Sequence, residues 1–244
     1  MRKPPQWLFS LRRTTAIPDL RLLVFPFAAA GATALRPLMM QLPDSVEVLG
    51  VALPGRERRF GEPPRTSHPE IVAAVGEELA DREPMPTYAF GHSMGAGLVL
   101  ALALMKPDLC LGVVISGRKP TGRPLGAVQS MTDDEVVAFL GAAGNTSRQL
   151  LKEPFWRAKL IALFRSDMAL NERVLQATES GTLSQHLLVV GGDRDQYVDA
   201  GGLPAWDQRT TGRCDVRVFP GNHFFLLDPE NLTPLAEAIY KFIA

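Results

Sequence analysis

Little in this chain is present in excess. Two cysteines, Cys110 and Cys214, are all it holds among 244 residues, and no C-x-x-C pair occurs. A zinc cluster or disulfide framework is therefore not indicated. Both thiols lie beside apolar runs and read as reduced, small core residues. Neither sign of charge prevails, since 26 Lys+Arg stand against 26 Asp+Glu. That excludes a mainly electrostatic nucleic-acid binder, though not a local basic patch. No uncharged apolar run reaches the roughly 18 residues of a membrane span. The stretch between Lys3 and Arg12 is too short and too proline-interrupted for a secretion signal, so the expected address is the cytoplasm. No internal repeat or low-complexity tract appears.

What remains is a globular composition, 46% hydrophobic and 21% charged, which excludes a wholly disordered or fibrous chain. A domain of this length buries about 70–75% of its unfolded surface and needs no metal or disulfide staple.

Residues 1–18 read as an irregular arm. Strand-length apolar runs then alternate with helical patterns. The runs are Arg21–Phe25, Val46–Leu53, Thr87–Phe90, Leu111–Ser116, His186–Val190 and Asp215–Phe219. Several are nearly continuously apolar, as strands buried on both faces of a parallel sheet must be. Between them, Ser67-His68-Pro69-Glu70 fits a capping box ahead of Ile71, Val75 and Leu79. Gly95–Met105 is an Ala/Leu helix stopped by Pro107, and Leu232, Leu235, Ile239 and Phe242 stripe the last helix. The alternation predicts a mostly parallel α/β sheet with right-handed crossovers.

Between Gly117 and Gln185 no strand pattern occurs. Thr132-Asp133-Asp134-Glu135 fits a second capping box, and Pro154 opens a longer helix with Trp156, Leu160, Phe164 and Met168 on one face. A connection this long is expected to be functional. It predicts a helical lid over about residues 118–175, inserted into one domain whose core spans about 19–117 and 176–244.

Gly91-His92-Ser93-Met94-Gly95 fits G-x-S-x-G, follows the strand at Thr87–Phe90 and precedes the Ala/Leu helix. That strand–turn–helix setting is what a nucleophile elbow requires, with Ser93 as nucleophile. A serine hydroxyl needs a base. Of four histidines, His68 lies in a helix cap, His92 sits inside the elbow and His186 begins a strand. His223, in the loop before the last helix, is the candidate base. The base needs an orienting acid, and the chain order Ser, Asp, His points to Gly191-Gly192-Asp193-Arg194-Asp195. Both aspartates are candidates. Asp195 is favoured because it lies further past the strand end, whereas Asp193 suits a bond to the turn backbone. The oxyanion needs preformed donors, for which the Met94 N–H and the Ala28 N–H, in the loop 25–31, are the candidates.

The ordered segments FPFAAAG, LPGRERRFGEPP, GHSMGA, GGDRD and GNHFFL resemble the type II thioesterases, stand-alone α/β-hydrolases that accompany polyketide synthases and nonribosomal peptide synthetases. The resemblance runs from about residue 20 to 243. It implies an α/β-hydrolase fold with a lid, and hydrolysis of acyl or aminoacyl thioesters from the phosphopantetheine arm of carrier proteins, clearing misprimed or stalled carriers. By motif position the catalytic roles fall on Ser93, Asp195 and His223, and the oxyanion donors on Met94 and Ala28. It implies no metal or organic cofactor, a monomer, carrier proteins as partners, and no nucleic-acid or membrane partner. The chain departs from the family pattern where Phe27 replaces a histidine, Ala29 and Ala30 replace glycines, and Asn222 stands where glycine usually precedes the histidine.

Three rival readings differ in what they require. A chain-terminating thioesterase domain sits poorly with an initiator Met and no long linker over residues 1–18. A small-ester hydrolase sits poorly with the Pro54–Arg59 segment. A silent carrier-binding protein sits poorly with a complete Ser/Asp/His set. Two basic clusters, Arg56/Arg58/Arg59 and Arg118/Lys119/Arg123, follow strand ends on the Ser93 side. The second is the expected docking surface for an acidic carrier, while the first also suits a loop-pinning role.

Overall fold

A computed structural model describes residues 6–65, 67–121, 130–142 and 148–244. Seven strands form one sheet in the order β1-β3-β2-β4-β5-β6-β7. They are β1 (Leu8–Ser10), β2 (Leu20–Phe25), β3 (Val46–Val51), β4 (Thr87–His92), β5 (Gly112–Ser116), β6 (His186–Gly192) and β7 (Cys214–Phe219). β2 to β7 pair in parallel, and β1 alone is antiparallel, with Leu8 opposite Val51. The six strands expected from the sequence are present within two residues of their expected ends.

The irregular arm is a correction, since β1 lies within it. Three residues are too few to show a period, and what holds β1 is distant: the Trp7 and Leu8 N–H groups donate to Glu78 on α2 at 2.6 and 3.1 Å.

The helices are α1 (Arg36–Met39), α2 (His68–Ala80), α3 (Met94–Met105), α4 (Asp133–Ala142), α5 (Arg148–Lys152), α6 (Pro154–Thr178) and α7 (Pro229–Ile243). α1 and α7 cover one face of the sheet, around Phe90, Val114, Leu188 and Ile239. α2, α3 and α6 cover the other, around Leu49, Ala89, Val113 and Val189. Alternate residues of β4 and β5 thus serve opposite cores, which is why Ala89-Phe90 and Val113-Val114-Ile115 are apolar on both faces.

The two capping boxes differ. Thr132 and Glu135 close theirs: Glu135 accepts the Thr132 N–H at 2.7 Å and Thr132 Oγ1 accepts the Glu135 N–H at 3.3 Å. Ser67 makes no side-chain cap bond, and the Glu70 carboxylate accepts from Arg65 at 2.9 Å. The stripe on α6 is also displaced. Phe164 and Met168 are buried, Leu160 is half-buried and Trp156 is exposed. From Ile161 onward the helix packs in the core beside α3, and its inward face carries three polar residues, Asp167, Asn171 and Thr178.

β2 pairs with β3 on one side and with β4 on the other, so the strand order reverses there. At such a switch point the loops leaving the two strand ends diverge and open a crevice. The loop after β2 and the turn after β4 border it.

Candidate active site

Ser93 occupies the turn between β4 and α3 with φ 55° and ψ −113°, a conformation strained for a residue with a side chain. The glycines beside it are required by contact. A Cβ on Gly91 would lie 2.3 Å from the Gly95 carbonyl, and a Cβ on Gly95 would lie 2.4 Å from the Phe25 carbonyl oxygen. The second contact shows how closely the loop after β2 crosses the first turn of α3. The Ser93 N–H donates to Ser116 at the end of β5 at 2.8 Å. Met94 opens α3, so its N–H lacks an intrahelical acceptor. Ala28 is buried in the crossing loop.

Asp195 and His223 meet across the ends of β6 and β7. The Asp195 Oδ2 lies 2.7 Å from His223 Nδ1, and its Oδ1 accepts the N–H groups of Tyr197 and Val198 at 2.8 and 3.1 Å. The carboxylate therefore has a fixed orientation and three partners. His223 Nε2 is buried and has no hydrogen-bond partner among the described residues. Asp193 turns elsewhere and accepts the Gly221 N–H at 2.7 Å. The geometry separates the two aspartates that sequence left as alternatives.

Ser93 and His223 line one small pocket of about 20 Å³ with Arg118, Asn171, Tyr197 and Val198. That is room for about one water. A cleft of about 1060 Å³ opens on Ala29, Ala30 and Gly31, and its far wall holds Phe60, Phe155, Trp156 and Leu160. The larger space thus adjoins the loop after β2 rather than Ser93 itself. Among the described residues, no group of three or more His, Cys, Asp or Glu side chains could hold a metal ion. Both thiols are free, and Cys110 is a core residue as expected, whereas Cys214 at the start of β7 is only half-buried; burial pushes Cys110 up to about 12 and Cys214 up to about 11.

The basic clusters require correction. Arg118 is 3% exposed, so it cannot present charge to a docking partner. Its Nη1 donates to the Ser93 carbonyl at 3.3 Å and to Asn171 Oδ1 at 2.9 Å. Burial, reinforced by Arg209, pushes its pKa down to about 10. Lys119 is exposed, and Arg123 lies outside the described residues. Arg56 and Arg59 are also buried, in pairs with Asp167 and Glu62. Arg58 lies over the Phe9 ring at 3.7 Å.

The site also contains a histidine that sequence assigned no role. His92 is fully buried, its Nδ1 is 2.9 Å from Ser116 Oγ, and its ring centroid is 4.8 Å from that of His223. Burial, and next the nearby His223, hold its pKa well below the usual 6.5. The unfolded chain then binds a proton that the folded one refuses. This contribution favours folding fully above about 6.5 and declines as pH falls below it, by up to about 1.4 kcal/mol per pH unit. Urea titrations from pH 7 to 5 should show wild type losing stability more steeply than His92→Gln. Equal slopes would mean that His92 is not held neutral.

A seven-stranded, mostly parallel sheet with a strained serine elbow after β4 and an Asp–His pair after β6 and β7 defines an α/β-hydrolase architecture. The thioesterase-domain family model matches residues 20–243, and the chain belongs to that family. It is 32% identical over 90% of its length to a probable cadicidin biosynthesis thioesterase of Streptomyces griseus, spanning 62% of that protein. The gramicidin S biosynthesis protein GrsT of Aneurinibacillus migulanus is 29% identical, with 86% of this chain and 84% of GrsT covered. Among solved structures, the type II thioesterase BorB from the borrelidin biosynthetic cluster superposes with a TM-score of 0.79 at 26% identity, covering 98% of each chain.

Proposed function

We propose that this protein hydrolyses acyl or aminoacyl thioesters from the phosphopantetheine arm of carrier proteins, clearing misprimed or stalled polyketide or peptide assembly lines. The observation that carries the reading is the unpartnered His223 Nε2, which shares a pocket with the strained Ser93 while Asp195 holds Nδ1. His223 takes the Ser93 proton, and Oγ attacks the thioester carbonyl. The Met94 and Ala28 N–H groups receive the oxyanion. The C–S bond then breaks, and the pantetheine thiolate takes the proton from His223. Water, deprotonated by the same histidine, releases the acid and restores Ser93. No step calls for a resident metal or cofactor, since phosphopantetheine arrives with the substrate. In this reading the protein is a cytoplasmic monomer acting on carriers; among the described residues no helix is long and apolar enough to cross a membrane.

A panel of acyl carrier proteins, followed by intact-protein mass spectrometry, tests this reading. Loss of the acyl group from the carrier, faster than hydrolysis of a matched plain ester, is the expected result. Ester turnover with untouched carriers would favour the small-ester reading instead.

The insertion serves as a lid in this proposal. Most residues of α5 and the first two turns of α6 are exposed, whereas α6 from Phe164 onward is largely core. Hydrogen exchange should be fast over residues 148–160 and slow, like β4 and β5, over 164–178. Uniform protection across α6 would make the insertion a static layer.

A further inference from the structure

Asp167 is a carboxylate in the apolar stripe of α6, wholly removed from solvent. Its Oδ2 accepts the Ala29 N–H at 2.7 Å. Arg56 grips both oxygens, with Nη1 to Oδ2 at 2.6 Å and Nη2 to Oδ1 at 2.7 Å. Arg56 also donates to the carbonyls of Ala30 at 3.2 Å and Pro54 at 3.4 Å. One buried fork therefore ties together the loops after β2 and β3 and the insertion.

The segment it grips is unusual. Residues 27–30 form a turn closed by the Ala30 N–H on the Phe27 carbonyl at 3.1 Å. Ala29, third in that turn, has φ 59°, where turns favour glycine and a Cβ is disfavoured. An alanine held there needs an external restraint, and the Asp167 carboxylate supplies one. The Ala29 N–H is thereby consumed. The Ala28 N–H lies one peptide upstream, between the turn closure and the Asp167 bond, so both fix its direction.

We propose that the Arg56–Asp167 pair positions the oxyanion hole: it holds the 27–30 turn so that the Ala28 N–H, together with that of Met94, faces the carbonyl that Ser93 attacks. The inference rests on the hydrolase reading and deepens it. It makes the insertion a contributor to transition-state stabilisation as well as a cover. It also gives the Leu53-Pro54-Gly55-Arg56 segment a purpose that sequence leaves open.

The rival is that the pair is structural cement. A buried ion pair replaced by apolar groups of similar volume is often tolerated by the fold, so Arg56→Met/Asp167→Leu separates the two. The assays are steady-state hydrolysis of a propionyl-N-acetylcysteamine thioester and binding of a short alkyl boronic acid, whose tetrahedral serine adduct places an oxygen in the hole. The double variant should melt cooperatively and lose about 10- to 100-fold in kcat, with KM changed less than threefold. Its boronate affinity should fall by a similar factor. Asp167→Asn keeps an oxygen for the Ala29 N–H and should recover most of kcat. Wild-type kcat and boronate affinity in a folded double variant would overturn the proposal, as would a KM rise that accounts for the whole loss. Should the double variant not fold, Asp167→Asn against Asp167→Ser decides: equal kcat for the two, when both melt as wild type, refutes it. Failure of the underlying reading shows in wild type instead, as no thioester turnover and no boronate binding that Ser93→Ala abolishes.

Discussion

Ser93→Ala should lower thioester turnover by about 10⁴- to 10⁶-fold, the loss expected when the nucleophile of a triad is removed. At about 1.36 kcal/mol per factor of ten, that is about 5–8 kcal/mol of transition-state stabilisation. The fold should survive, because Ala keeps the Cβ and the hydroxyl is not needed to close the turn: the Ser93 N–H bond to Ser116 is a backbone bond. A serine-directed phosphonate should label wild type at Ser93 alone, read by peptide mass spectrometry. Labelling elsewhere, or an Ala variant that retains its rate, would remove the elbow from the chemistry. The strained φ of 55° adds a second expectation. Ser93→Gly should abolish turnover yet raise stability by about 1 kcal/mol in urea unfolding, since glycine adopts that backbone without a Cβ penalty.

Asp195→Asn is the second large effect, with an expected loss of about 10⁴-fold in kcat. The Asp195 Oδ1 already accepts the N–H groups of Tyr197 and Val198. An asparagine that keeps those bonds must turn its NH₂ toward His223 Nδ1. The imidazole then carries its proton on Nε2 and cannot accept one from Ser93. Asp193→Asn keeps an oxygen for the Gly221 N–H and should cost less than about tenfold. Steady-state kinetics of the two variants on one acyl carrier substrate decide between them, and a larger loss at Asp193 would reverse the assignment.

Where local pattern carries the information, sequence sufficed. The six parallel strands follow from apolar runs bounded by turn residues, and the elbow follows from glycines at either side of Ser93. The order Ser, Asp, His along the chain narrows the candidate base and acid to a few positions. Asp167 and Asn171 were legible in part. They interrupt the stripe formed by Phe164, Met168, Val174 and Leu175, and a carboxylate on an apolar face needs a partner. Which partner it finds is not a local property: Arg56 lies 111 positions away.

Sequence by itself therefore determined the fold class and a short list of candidate site residues, because periods of two and 3.6 residues and the glycines of a strained turn act over a few neighbours. Tertiary structure alone decided the rest. It brought Asp195, not Asp193, into contact with His223, since only the meeting of the β6 and β7 loops sets that reach. It drew β1 from an arm without a period by means of Glu78. It turned Arg118 from a docking charge into a buried support for the Ser93 carbonyl, packed against α3 and α6. It set His92 against His223. In each case the deciding quantity is burial or a partner brought from a distant segment, and a guanidinium or carboxylate reads the same in sequence whether water or another side chain satisfies it.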